Sequence, residues 1–159
     1  ASHVAYESAI NQRAMRMRSY KLVTLQKSLR PPKIYGDPEG DLLVVSWGST
    51  RGAIEEAVDR LREEGLKVSS VTLRFLSPLE PGLKKIFENF KQVMTIELNY
   101  SDDHDDAVVP AEHRRRSQLA RLLRQVTLID IDCWSRVPGV PLSPSQVKAA
   151  IHEKLARMG

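Results

Sequence analysis

Four short runs of aliphatic and β-branched residues, separated by segments of helical period, constrain this chain more than any other feature. Residues 41–47 include Leu42, Leu43, Val44 and Val45 in an unbroken apolar run, the pattern of a strand covered on both faces. Residues 67–75 alternate as a second strand, and residues 93–98 and 126–133 read as a third and a fourth. Between the first two, Ala53, Ile54, Ala57, Val58 and Leu61 share one helical face. Glu55, Glu56, Asp59, Arg62 and Glu63 occupy the other, and Gly65 closes the helix. Residues 82–90 and 117–124 have the same period, and Ser143-Pro144 starts a last helix with a serine cap and a proline in its first turn. Such an alternation predicts an α/β layer fold with a mostly parallel sheet and helices on both of its faces.

The first strand is preceded by a different kind of segment. Residues 7–29 read as a helix, with Ile10, Ala14, Met17 and Leu25 at helical spacing and Arg13, Arg16, Arg18 and Lys27 between them. Pro31-Pro32 stops it, and a turn-rich stretch at 36–40 marks a boundary between a basic helical linker arm (1–38) and an α/β domain (39–159). The net charge of +4 is unevenly placed: residues 1–30 carry +5, residues 31–111 carry −6, and residues 112–125 carry +4. The Arg114-Arg115-Arg116 run lacks interleaved aromatics, so it reads as a solvated or partner-facing arm rather than a nucleic-acid surface. No apolar run is long enough to span a bilayer, and a cytoplasmic location is expected. The chain begins at Ala1 rather than Met and reads as an excised or processed piece.

Ligands of open parallel sheets bind beyond the carboxyl ends of the strands. That rule selects 48–52, 74–78, 97–106 and 134–138. Gly48, Ser49, Thr50 and Gly52 form a strand-to-helix turn where free N–H groups favour an anion, but the turn is neither GxGxxG nor a P-loop. Glu97 closes the third strand with Asn99 two residues on, and a role in bonding the backbone of a neighbouring turn is the simpler reading. Asp102, Asp103, His104, Asp105 and Asp106 could hold a cation but lack EF-hand spacing, so a flexible solvated loop is expected. His3, His104, His113 and His152 fall in terminal, loop or helix-surface positions. The single cysteine, Cys133, excludes a disulfide or a four-thiolate cluster within the chain and sits where a thiol acts as a small buried hydrophobe. The residues alone point to a non-catalytic domain of something larger. The alternative is a stand-alone module binding an anionic small molecule at the 48–52 turn.

Taken in order, these segments resemble the C-terminal domain of the alpha subunit of 2-oxoacid:ferredoxin oxidoreductases. The likeness runs from Leu42 through Trp47-Gly48-Ser49-Thr50-Arg51-Gly52 to Ala57, then through Glu64-Gly65, Phe75-Leu76-Ser77-Pro78 and residues 93–99. It resumes at Gln118-Leu119-Ala120 and at 138–141, and Pro31-Pro32-Lys33-Ile34-Tyr35-Gly36 resembles the linker before that domain. The resemblance implies a transketolase C-terminal-like fold, a three-layer α/β/α sandwich with a mixed five-stranded sheet, of which the residues reveal four strands. It implies a parent enzyme that uses thiamine diphosphate, Mg²⁺ and [4Fe–4S] clusters to decarboxylate a 2-oxoacid oxidatively, yielding acyl-CoA and reduced ferredoxin. The Trp-Gly-Ser-Thr-Arg-Gly wording resembles the 2-oxoglutarate branch most, ahead of the pyruvate and branched-chain oxoacid branches. None of these cofactors is implied to bind this domain. The implied partners are the other domains of the alpha subunit and the thiamine-binding beta subunit, with ferredoxin and CoA serving the whole complex. Gly48, Ser49, Thr50, Gly52, Glu97, Asn99 and Gln118 match recurrent positions as turn or interface residues only. The sequence departs from the family at 100–117, a long acidic-then-basic insertion ending in Ser117 where glycine is usual.

Overall fold

A computed structural model describes residue 4 and residues 6–157. Its elements are α1 (Ser8–Ser28), β1 (Ile34–Tyr35), β2 (Gly40–Trp47), α2 (Arg51–Glu63), β3 (Val68–Leu73), α3 (Leu83–Phe87), β4 (Phe90–Glu97), α4 (Gln118–Thr127), β5 (Ile131–Ser135) and α5 (Pro144–Ala156). The five strands form one sheet in the order β1-β3-β2-β4-β5. β2 pairs in parallel with β3 and β4, and β4 with β5, whereas β1 runs antiparallel to β3 through Ile34–Val71 and Tyr35–Ser70. The sheet is therefore mixed and mostly parallel, and its fifth strand lies before the 36–40 turn, in a stretch expected to belong to the arm.

The apolar run in β2 is explained by two cores. Leu43 and Val45 pack with Val71, Phe87 and Leu123 beneath α3 and α4. Leu42 and Val44 pack on the opposite face with Ile54, Leu61 and Ile151 from α2 and α5. All four β2 side chains are fully buried, which makes the molecule a three-layer α/β/α sandwich. Helix α1 stands apart, with none of its residues buried.

Element ends differ from the sequence reading in instructive ways. Val126 and Thr127, expected in the fourth strand, close α4 instead. The face Leu119, Ala120, Leu123 and Thr127 keeps helical period to that point, and Val126 turns outward. Leu128 then adopts a left-handed conformation (φ 59°), the Thr127 hydroxyl donates to Leu123 O, and β5 begins only at Ile131. β3 stops at Leu73 because the Arg74 N–H leaves the ladder and donates to the buried Glu80 carboxylate (3.1 Å). β4 starts three residues early, where Phe90 pairs with Gly40 and enters the core. At Gly40 a side chain would collide with Lys67 O, at 2.6 Å from an added Cβ.

Residues 100–117, expected to be an insertion, form a closed loop with a neck. Asp102 N–H donates to Arg115 O (3.0 Å), and Arg115 N–H donates back to the Asp102 carboxylate (2.8 Å). Ser101 and Asp102 are buried, so the expected solvated loop describes only Asp103 to Asp106.

The two-core arrangement makes a specific demand on successive residues. Leu42→Ala and Leu43→Ala should each lower unfolding free energy in denaturant by about 2–5 kcal/mol. A large loss at only one of them would mean that β2 buries a single face.

Candidate functional site

The chain moves from β2 through α2 to β3 on one side, then crosses to β4 on the other side of β2. The switch point between the carboxyl ends of β2 and β4 is where open α/β sheets carry ligands and contacts. It brings together the turn after Trp47 and the segment after Glu97, both picked out by sequence.

On the β2 side, Gly48, Ser49 and Thr50 form a single 3₁₀ turn that enters α2. Gly48 sits at φ +68°, a conformation that glycine tolerates and other residues seldom adopt. The Thr50 hydroxyl donates to Trp47 O (3.1 Å) rather than capping the helix. Arg51, the cation nearest the helix start in sequence, is engaged with Glu55 (2.8 Å). An added Cβ at Gly48 or Gly52 would meet nothing within 4 Å, so neither glycine is explained by a close approach of backbone. The alternative of an anion-binding module at this turn finds no support: its cation is occupied and its glycines border open space.

On the β4 side, the carboxylate of Glu97 is 1% exposed and gathers donors from three directions. The hydroxyls of Thr95 (3.0 Å) and Ser117 reach Oε1, and the Asn99 amide reaches Oε2 (3.0 Å). The backbone N–H groups of Leu119 (3.1 Å) and Ala120 (3.4 Å) complete the set. The last two belong to the first turn of α4, whose free N–H groups and dipole favour a negative charge. Glu97 thus fastens α4 to the end of β4 in place of a side-chain cap, which Ser117 does not supply to α4 itself. Sequence reasoning expected a bond to neighbouring backbone, and the geometry places that backbone at a helix start 22 residues ahead. Asn99 joins this network, and Gln118, the first residue of α4, lies beside it but faces solvent. Among the described residues, no hydrogen bond links the 48–52 turn to Glu97.

A third cluster escaped the sequence reading. A cavity of about 350 Å³ opens between the 101–106 loop, β5 and α5. At its floor Asp132 accepts from Arg114 (2.8 Å), the Cys133 N–H (2.8 Å) and Lys154 (3.1 Å). Burial works against ionisation of Asp132, but these partners outweigh it and hold the carboxyl well below the usual carboxylate range. Arg114, expected in a solvated or partner-facing arm, has a side chain only 7% exposed. Asp102 takes Arg115 in a two-pronged pair, which holds its carboxyl below the ordinary range as well. Asp103 pairs with Arg136 and Asp105 with Arg157, so three of the four acids that suggested a cation site are matched to guanidinium groups, and Asp106 accepts from the Val108 N–H (2.8 Å). Among the described residues, no group of three or more His, Cys, Asp and Glu side chains is placed to hold a metal. His3 lies outside the described residues, and His152 contacts Glu64 on α2 (2.9 Å). The one signal that could have exposed the cluster was the count of acids at 102–106 against arginines at 114–116.

Two measurements follow from this geometry. Glu97→Gln keeps the shape but sets an amide N–H₂ against N–H donors, and should lower stability by about 1–3 kcal/mol in denaturant. The Asp132 carboxyl has a depressed folded-state value, so its contribution is present above about pH 4 and is lost as pH falls below that. Asp132→Asn should therefore melt at a lower temperature at neutral pH, with the gap to the parent chain narrowing toward pH 2.

Comparisons with known proteins agree with this architecture. The family model described as pyruvate:ferredoxin oxidoreductase core domain II matches residues 40–132. The 2-oxoglutarate oxidoreductase subunit KorA of Mycobacterium tuberculosis is 30% identical over 155 residues, covering 96% of this chain and 21% of that protein. The alpha subunit of 2-oxoacid:ferredoxin oxidoreductase from Saccharolobus solfataricus is 29% identical over 101 residues, 61% of this chain and 16% of its own length. Among solved structures, 2-oxoglutarate:ferredoxin oxidoreductase from Magnetococcus marinus, with 2-oxoglutarate, coenzyme A and succinyl-CoA bound, aligns at a TM-score of 0.73. That match has 25% identity and covers 94% of this chain and 24% of that one. A split-gene transketolase shares the fold at a TM-score of 0.52 and 20% identity, covering 80% of this chain and 42% of that one. The chain thus spans about a fifth, or less, of the length of these curated relatives. It belongs to the family of pyruvate:ferredoxin oxidoreductase core domain II.

Proposed function

We propose that this chain serves as a non-catalytic domain of the alpha subunit of a 2-oxoacid:ferredoxin oxidoreductase, with 2-oxoglutarate as the favoured substrate of the whole enzyme. One observation carries the reading: nearly the entire chain, 96% of it, aligns with about a fifth of a 2-oxoglutarate oxidoreductase subunit. A fifth of a subunit that is folded around its own two cores is an architectural part. The whole enzyme would oxidatively decarboxylate its 2-oxoacid to an acyl-CoA and reduce ferredoxin in the cytoplasm. No helix among the described residues is long and apolar enough to cross a membrane.

The [4Fe–4S] group of such an enzyme does not fit the donors of this chain. A cubane needs four thiolates, and the chain has one cysteine, buried in β5. We assign that group, together with thiamine diphosphate and Mg²⁺, to other domains and to the thiamine-binding beta subunit.

The surfaces for assembly are the arm and one rim of the sheet. Helix α1 exposes Ile10, Met15, Met17, Tyr20, Leu22 and Val23 along with five cations and no acid, a combination that suits an acidic and partly apolar neighbour. At the switch point Gly48, Ser49, Gly52 and Gln118 are exposed beside Trp47 and Leu98, whereas Thr50 and Glu97 are buried and Asn99 half-buried behind them. We assign the exposed group to contacts with neighbouring domains and the buried group to holding that rim in shape. The arm is best taken as α1, with the α/β domain extending back to β1 and the 100–117 insertion as an appendage.

The isolated 159-residue chain should reduce no viologen dye when given 2-oxoglutarate and CoA. Co-expressed with the remaining alpha-subunit domains and the thiamine-binding subunit, it should co-purify with them, and removal of residues 1–30 should weaken that association. Retention of dye reduction by the chain alone, or failure to associate with either component, would sink the reading.

A further inference from the structure

Strand β5 ends the sheet, and a sheet edge presents unpaired N–H and C=O groups on alternate residues. The Arg136 N–H donates inward to Glu97 O on β4, which leaves Ile131, Cys133 and Ser135 as the residues turned outward. Each of their carbonyls accepts from a guanidinium. Arg124 Nη1 reaches Ile131 O (3.1 Å), Arg114 Nη2 reaches Cys133 O (3.0 Å), and Arg136 Nη1 reaches Ser135 O (2.9 Å). The outward Cys133 N–H is taken by Asp132 Oδ1, the same oxygen that Arg114 Nη1 contacts. Three arginines from separate stretches of chain thus occupy one edge. The opposite edge strand, β1, has only two residues, too few to template a partner.

The three cations are not equivalent. The side chains of Arg124 and Arg136 are 32% and 43% exposed and can swing into water. Arg114 is 7% exposed, sits on the central carbonyl, and is held from the loop side by its Nε donating to Asp102 O (3.2 Å). It is the only one of the three carried by the insertion, whose neck is closed at Asp102 and Arg115.

We propose that the 102–115 loop is a strap, with Arg114 as its latch, that withholds the β5 edge from strand pairing with a second copy of this chain. A second copy is the fitting occupant because two identical edges related by a two-fold axis are self-complementary. Antiparallel pairing centred on Cys133 would let the two Cys133 residues exchange both N–H···O bonds. The flanking residues 131 and 135 would then pair with one another across the axis.

The test uses the 159-residue chain with Arg114 and Asp132 replaced together by uncharged groups of similar size (R114M/D132N), so that neither member of that pair is left facing the other's absence, and Lys154, 17% exposed, keeps some access to water. Mass is measured across a concentration series by light scattering, with site-resolved amide exchange at each concentration. The expected result is a doubling of mass relative to the parent chain over that series. The Cys133 and Ser135 amides should slow in step with it. An unchanged mass with a cooperative melt overturns the proposal. So does association that leaves those two amides indifferent to concentration. If the double variant does not fold, Arg114→Lys decides by the same readings, because an ammonium neutralises Asp132 but cannot also span to Cys133 O.

Discussion

Strand β2 has no face in water, and the rest of the molecule is arranged around that fact. A strand buried on both sides needs a helical layer above and another below, and a chain this short can supply both only by crossing over after nearly every strand. The crossing from β3 to β4 passes over β2 and creates the switch point, where Trp47 and Glu97 end neighbouring strands. The position of the rim assigned to assembly descends from the burial of Leu42, Leu43, Val44 and Val45.

Glu97 shows how such a fold spends polar groups. A carboxylate in an apolar interior is costly unless its lone pairs are met. Here five donors meet it, and two of them are the backbone groups that a helix start leaves unpaired. One buried charge therefore closes the accounts of a strand end and a helix end together. Ser117, the residue before α4, adds its hydroxyl to the same carboxylate.

Most of the architecture was legible because periodicity is local. The double-faced run of β2, the amphipathic α2 with Gly65 beyond it, and the Ser143–Gln146 cap of α5 all appear where residue spacing put them. The fifth strand was not legible, because two residues of β1 carry no period and owe their conformation to β3. The end of α4 was misread because Val126 has strand propensity, while packing of Leu123 and Thr127 carried the helix onward. The insertion was least legible of all. Acids at 102–106 and arginines at 114–116 look like two solvated charge blocks until the chain brings them together, and ion pairs between distant residues leave no local pattern.

The neck at Asp102 and Arg115 bears on how much change this loop can absorb. Two backbone-level bonds and a two-pronged ion pair join the loop's ends before the chain re-enters the sandwich at α4. Among the described residues, 106–113 makes no hydrogen bond to a strand, so the length of the loop there does not set the register of β4 and β5. Closing a loop twice as long costs only about 0.6 kcal/mol more in chain entropy. A clasp of this kind turns one point of the fold into a socket. Residues can be added to or taken from 106–113 while the pairs at Asp102, Arg114 and Arg115, and the sandwich beneath, stay unaltered.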